Sequence, residues 1–231
     1  MKLLIHEYFK SEILIDNKLT YVVIENQKTF FKMMTDLNNQ TLNTVDNNES
    51  FAILQNEEKL DLSKTLILFT DLFNFNVNSR RIKNELFRKI TEDEASYNSQ
   101  LDINVINENV QLYFKNIFSR YFINVTYLED IELNDFLKLY KVEICNEGET
   151  LLETLINWLT SFTELTKITN YAFINLSTFL TVEDLKELEK ICEYHKISII
   201  LFENNILNLK NIKNINVIDD DLCHLIIDNM L

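Results

Sequence analysis

The chain has 231 residues, 46% hydrophobic and 25% charged, proportions of a folded protein that buries its core as one large domain or two modest ones. Its 36 acids against 22 lysines and arginines leave a formal net charge of -14, and no apolar run approaches the roughly 18 residues of a bilayer span. A single glycine and no proline exclude the glycine-rich loops that let a backbone approach nucleotide phosphates.

The first residues, Met1 to Ile5, begin like a secretion signal, but His6 and Glu7 end the apolar stretch too early. Cys145, Cys192 and Cys223 lie far apart without metal-type spacing. They read as buried thiols of a reducing compartment, so a cytoplasmic protein is expected. The richness in Asn, Ile and Lys has the look of codon bias from an AT-rich genome, which explains composition rather than activity.

In chain order, KLLIHEYF, SEILID and TYVVIEN alternate or run apolar at strand lengths, with Asp16-Asn17 as a turn. KTFFKMMTDLNN follows as a short helix, FAILQNEEKLDL as a hairpin around Asn56-Glu57, and TLILFTDLF as a strand buried on both faces, ending near Asp71. From Asn78 the period turns helical. Asn78 or Ser79 caps a helix that turns Ile82, Leu86, Phe87 and Ile90 inward. INENVQLYFKNIFSRYF aligns Val110, Phe114, Ile117 and Phe118, and LEDIELNDFLKLYKVEIC reads as a loop, a short helix and a candidate strand. Thr150 and Glu153 form a capping-box pair that opens a helix to Leu165, with Leu155, Trp158, Leu159 and Phe162 as its core face. NYAFINLS is a strand, Thr181 caps an amphipathic helix with Leu185, Leu188, Ile191 and Cys192 inward, and ISIILFE is a buried strand. INVID and HLIID are expected as edge strands. The terminal segments are expected to share one sheet.

The charge is unevenly spread. Arg80, Arg81, Lys83, Arg88 and Lys89 oppose one acid, Glu85, between positions 80 and 89. Cations neutralise phosphates and release counterions, so a local positive face can bind DNA in an otherwise acidic protein. A solvated helix face is the plainer alternative, because these positions fall on more than one helix stripe. Lys115, Arg120, Lys138 and Lys141 add positive charge further along. The stretch LEDIELND supplies Glu129, Asp130, Glu132 and Asp135. Calcium takes six to eight oxygens, which clustered carboxylates on a loop can provide, although there is no EF-hand pattern. Asp219 to Asp221 read as a solvated turn. Asp71 ends a strand as a magnesium-holding acid would, but without phosphate-binding glycines its expected task is to cap the Asn-rich turn after it. A metal-dependent nuclease built on Asp71 and the acids of 129–135 is the enzymatic alternative, though these acids are not paired on strand ends. His6, His195 and His224 lack a nearby Ser or Cys in sequence and read as surface or satisfied side chains.

FTDLFNFNVNS (69–79), FINLSTFLTVEDL (173–185), ISIILFE (197–203) and CHLIIDNML (223–231) together resemble the small adaptation protein of type II-A CRISPR–Cas systems. Asp71, Phe75, Asn76, Val77, Asn78 and Ser79 carry the strongest part of that likeness. The resemblance implies an α/β class with a RecA/ABC-ATPase-like head, its nucleotide site degenerate, over residues 1–74 and 165–231. It further implies an inserted α-helical domain over 75–164. It implies a non-catalytic homotetrameric ring that threads linear double-stranded DNA through a positively lined centre. Calcium would stabilise the ring through acid-rich parts of the insertion, and no nucleotide would be bound. The implied role is acquisition of new spacers beside the adaptation integrase and the effector nuclease. Asn74 stands where relatives often have glycine, Leu176 and Ser177 where a glycine is common, and LFENN lacks a proline that many relatives have. Net acidity favours an alternative, a protein-interaction adaptor of the same fold without direct DNA contact.

Overall fold

The computed structural model describes residues 2–44, 50–73, 75–96, 100–145, 148–209 and 212–227; Asn74 and the final residues of the C-terminal segment, 228–231, lie outside them. The chain is mixed α/β. In order it forms β1 (Lys2–His6), β2 (Ile13–Leu14), β3 (Leu19–Ile24), α1 (Gln27–Leu42), β4 (Phe51–Gln55), β5 (Glu58–Lys59), α2 (Leu62–Thr65) and β6 (Leu66–Phe69). Next come α3 (Arg80–Ser96), α4 (Gln100–Phe118), α5 (Leu133–Leu139), α6 (Leu151–Thr166), β7 (Asn170–Ile174), α7 (Val182–His195), β8 (Ser198–Glu203), β9 (Ile215–Ile218) and β10 (His224–Ile227). They divide into two compact units, Met1–Phe75 with Asn146–Leu231, and Asn76–Cys145.

The first unit holds two sheets, a six-stranded one in the order β10-β9-β3-β8-β7-β6 and a four-stranded one in the order β2-β1-β4-β5. Strands β9, β3, β8, β7 and β6 are parallel, and β10 returns antiparallel to β9. Every residue of β3 and β8 is buried, which explains why LTYVVI and SIILFE read as nearly continuous apolar runs. Alternate side chains divide between the two faces. Val22, Ala172, Ile200 and Phe202 join one core cluster with Leu4, Ile53 and Met33 from the small sheet and α1. On the opposite parity, Tyr171 and Phe173 of β7 meet α6 and β6: Trp158 lies 6.0 Å from Tyr171, and Phe69 stacks on Phe173 at 4.6 Å.

Several expectations change. Strands β1 and β2 do not share a sheet with the C-terminal strands; β1 pairs antiparallel with β4 from Lys2↔Gln55 to His6↔Phe51, and its alternating burial suits a one-sided sheet. Strand β9 is internal rather than an edge, because β3 pairs along its other side. The strand expected from residue 65 begins at Leu66, since Asp61 accepts from the Ser63 N–H and caps α2, and at the sheet edge β6 is only half-buried. No strand forms over residues 141–145. Helix α6, expected in the insertion up to residue 164, falls in the first unit. Its six buried side chains, Leu152 to Leu165, give it a core face there, and Trp158 meets Phe69 edge-on at 4.7 Å.

With one glycine available, other residues supply the left-handed turns. Asn17, Asn43, Asn56, Asn175 and Asn214 all have positive φ, as do Lys141, Lys167, Lys196, Glu57 and Leu222. Asn56 and Glu57 together make the β4–β5 hairpin turn. Gly148 is retained for space: a Cβ there would come within 2.6 Å of Thr154 Oγ1 and 2.7 Å of its backbone nitrogen. It lies just ahead of the α6 capping box, in which the Glu153 N–H donates to Thr150 Oγ1 and Glu153 Oε2 accepts from the Glu149 and Thr150 N–H groups.

Two buried charged side chains of the core are hydrogen-bonded, whereas the buried Ser177 hydroxyl has no partner among the described residues. The Lys2 ammonium donates to Thr169 Oγ1 and Asn170 Oδ1, both at 2.9 Å, and so joins β1 to the start of β7. Glu203, 1% exposed at the end of β8, accepts from the Ser177 N–H at 2.9 Å. The second unit contains α3, α4 and α5, with no strand among its described residues. No helix among the described residues is long and apolar enough to cross a membrane.

Burial raises the Glu203 carboxyl to about 7 from an unfolded value of 4.5. The folded state therefore holds the proton more tightly, and its stability falls as pH rises from 4.5 through 7. Glu203→Gln is expected to be more stable than the parent at pH 8 by up to about 3 kcal/mol, the difference vanishing near pH 4.5. Urea denaturation at several pH values checks this; a pH-independent difference would show that burial of the charge is not the cause. His6 has the opposite slope: burial lowers it to about 4, so its contribution weakens as pH falls from 6.5 toward 4.

Candidate nucleic-acid interface

A chain of short local bonds positions the basic helix. Asp71 Oδ1 accepts from the Phe73 N–H at 3.0 Å, the turn-capping task expected of it. Phe75 is buried beside Phe69 and Phe173. Asn76 Oδ1 then accepts from the Asn78 N–H at 2.8 Å. The Asn78 amide makes a two-way clamp, donating to the Ile144 carbonyl at 2.9 Å and accepting from the Ile144 N–H at 2.8 Å. Asn78 is thus occupied elsewhere. The carbonyl of Ser79 accepts the first helical bond, from Lys83 N–H, which puts Ser79 at the cap position.

Helix α3 buries Ile82 and Phe87. At about 100° per residue, Arg81 and Arg88 fall opposite that face, Arg80 and Lys89 flank it on either side, and Lys83 lies on the side of the buried residues. The charge order along the helix is unusual. Cations fill its first half, Glu92, Asp93 and Glu94 follow, and there is no acid in the first turn and no base in the last. A helix is stabilised by acids at its N-terminus and bases at its C-terminus, by roughly 0.3–1 kcal/mol for each exposed charge. Helix stability therefore does not account for Arg80 and Arg81. An anion at this end would meet the dipole, first-turn N–H groups without helical acceptors, and two exposed guanidinium side chains.

The other expected cations are placed differently. Arg88 forks onto both Glu92 oxygens at 2.7 Å and donates to Glu85 at 2.9 Å, and these carboxylates raise its pKa further. Lys83 is paired with Glu143, and Lys138 with Asp135 at 3.1 Å. Lys141 adopts a positive φ just past α5, its N–H donating to the Lys138 carbonyl. Lys115 lies in the last turn of α4 and Arg120 in the turn beyond it; neither forms an ion pair among the described residues, and nor does Arg80. The nine cations thus belong to three places along the second unit rather than to one helix face.

The acids of 129–135 do not converge. Gln111 donates to the Glu129 carbonyl, and Asn107 clamps the Ile131 backbone in both directions, pinning this stretch to α4. Glu132 is the N-cap of α5 without a side-chain cap bond, and Asp135 is taken by Lys138. Asp130 and Glu132 line a cleft of about 590 Å³ with Glu94, a residue too distant in sequence for the acidic loop to have revealed. Among the described residues no three His, Cys, Asp or Glu side chains are grouped to hold a metal ion.

Cys192 is buried, its thiol pushed up by burial, but Cys145 and Cys223 are exposed, contrary to expectation. His6 accepts from the Tyr8 N–H and packs 4.3 Å from Phe51, His224 accepts from the Lys10 N–H, and His195 sits against Tyr194. What sequence reasoning missed is the exposed apolar segment after α4, where Tyr121, Phe122 and Ile123 project into solvent.

A family model described as CRISPR-associated protein (Cas_Csn2) matches residues 44–222. No curated protein matches the chain.

Asn78→Ala removes both halves of the clamp and strands the Ile144 N–H and carbonyl, a loss of about 1–3 kcal/mol to this unit. Faster amide exchange at Ile144, with β3 and β8 protected as before, is the expected result. Unchanged exchange at Ile144 would show that the clamp does not hold the unit closed.

Proposed function

The chain belongs to the Csn2 family of CRISPR-associated proteins, and from that premise we propose that it is a non-catalytic DNA-binding protein of adaptation. In this reading it assembles as a homotetrameric ring, holds linear double-stranded DNA in a positively lined centre, and supports spacer acquisition beside the adaptation integrase and the effector nuclease. The single observation that carries DNA binding is the α3 N-terminus. Arg80 and Arg81 stand there against the helix dipole's own preference, where duplex phosphates would meet both dipole and cations.

The larger parallel sheet suits a RecA- or ABC-ATPase-like head whose nucleotide site has lapsed, and the helical unit 76–145 suits an inserted domain. Self-association has support in the large apolar side chains left exposed on the helical unit, among them Val105, Ile106, Leu139 and Tyr140. Calcium remains part of the proposal as an ion that stabilises the ring. The net charge of -14 favours a second reading, an adaptor of the same fold that works through protein partners without touching DNA.

Gel shifts with a linear duplex separate the two. Joint Arg80→Glu and Arg81→Glu substitution is expected to weaken binding and to flatten the salt dependence by about 0.9 for each phosphate no longer neutralised. Equal DNA association by parent and variant would favour the adaptor. Light scattering with and without calcium should find a tetramer; a monomer under both conditions ends the ring model. DNA should remain intact after incubation with magnesium or manganese, and its cleavage would revive the nuclease.

A further inference from the structure

The segment that closes α4 is unlike the rest of the chain. About one residue in six is acidic overall, yet the stretch Asn109 to Leu128 contains no Asp or Glu. It carries Lys115 and Arg120, neither ion-paired among the described residues, and an unusual density of rings.

The structure sorts those rings into two sets. Phe114 and Phe118 face inward onto Tyr127, at 5.2 and 5.7 Å, which folds the segment back along the helix. Tyr121 and Phe122 face outward; Tyr121 is 59% exposed and Phe122 wholly so. The turn that displays them is held by backbone bonds, with Ser119 N–H donating to Lys115, Arg120 N–H to Ile117, and Tyr121 N–H to Phe118. The inward rings explain the fold of the segment, and the helix C-terminus explains Lys115 through the dipole. Neither explains two solvent-facing rings immediately after Arg120.

We propose that this turn is a docking surface for unpaired nucleotides at a DNA end. The proposal rests on the DNA-binding reading given above. Stacking needs a base whose face is free, which the interior of a duplex does not offer and an overhang does. A ring beside a cation supplies both halves of single-strand recognition, a surface for the base and a charge for the phosphate next to it. A second copy is the poorer occupant for the same turn, because two such turns facing each other would oppose like cations, Lys115 and Arg120, across the contact.

The test compares three labelled DNAs at one salt concentration: a blunt duplex, the same duplex with a single-stranded thymidine overhang, and the thymidine strand alone. Full-length protein is expected to bind the overhang duplex at least about fivefold more tightly than the blunt one, the effect of one stacked base. Tyr121→Ala with Phe122→Ala should abolish that advantage and leave blunt binding unchanged, since both side chains are exposed and neither is among the cations proposed to meet the duplex. Blunt binding without an overhang advantage in the parent overturns this inference and leaves the duplex reading intact. Failure of the blunt duplex to bind, with the thymidine strand bound and released by the double variant, does the reverse. A double variant that loses tetramer in light scattering but keeps the overhang advantage overturns the inference and makes the turn an interface between copies.

Discussion

Three parallel strands with both faces covered, β3, β8 and β7, fix the α/β unit. All of β3 and β8 is buried, so sliding either strand by one residue would exchange its entire set of facing side chains. Phe202 would leave the cluster with Met33 and Ile53, and Leu201 would have to fill its place. The surrounding parts take their positions from that register. Glu203 at the end of β8 orders the loop at Ser177, and the buried ammonium of Lys2 ties the small sheet to the head of β7. From the far side of Asn170, the amide donates to the Thr65 carbonyl and brings β6 into line.

Scarcity of glycine is the second constraint. Five asparagines occupy left-handed positions, as their short amide permits, but Lys141, Lys167 and Lys196 follow helices in the same conformation with no such help. Each of those lysines sits at a helix C-terminus, where its charge offsets part of the backbone cost. The left-handed turns are therefore made without glycine. Asn175 turns the chain after β7, and its side chain accepts from the Asn204 N–H, a donor that proline in that place would lack.

Much of this was legible in the sequence. The continuous apolar runs of β3 and β8, the Thr150–Glu153 capping box, the Thr181 cap, the Asn56-Glu57 turn and the onset of α3 follow from local chemistry that needs no tertiary partner. The pairing of β1 with β4 was not legible, because alternation in KLLIHEYF tells which face is apolar but not which strand lies beside it. The side of the boundary on which α6 packs was not legible either, because an apolar stripe does not say what covers it. The functional residues divide similarly. A run of cations marks α3, yet whether each has a partner depends on Glu92, Glu143 and Asp135 in space. Phe122 gave a signal only as the absence of acids around it.

The clamp between Asn78 and Ile144 has a topological consequence. It holds the entry and exit of the helical excursion side by side, at hydrogen-bonding distance, as the two ends of a hairpin are held. The connection between strands β6 and β7, paired from Leu66↔Asn170, is thus already closed on itself within the second unit instead of being an open loop of full length. Residues inserted or removed between the two clamped ends would then cost the sheet little in loop entropy.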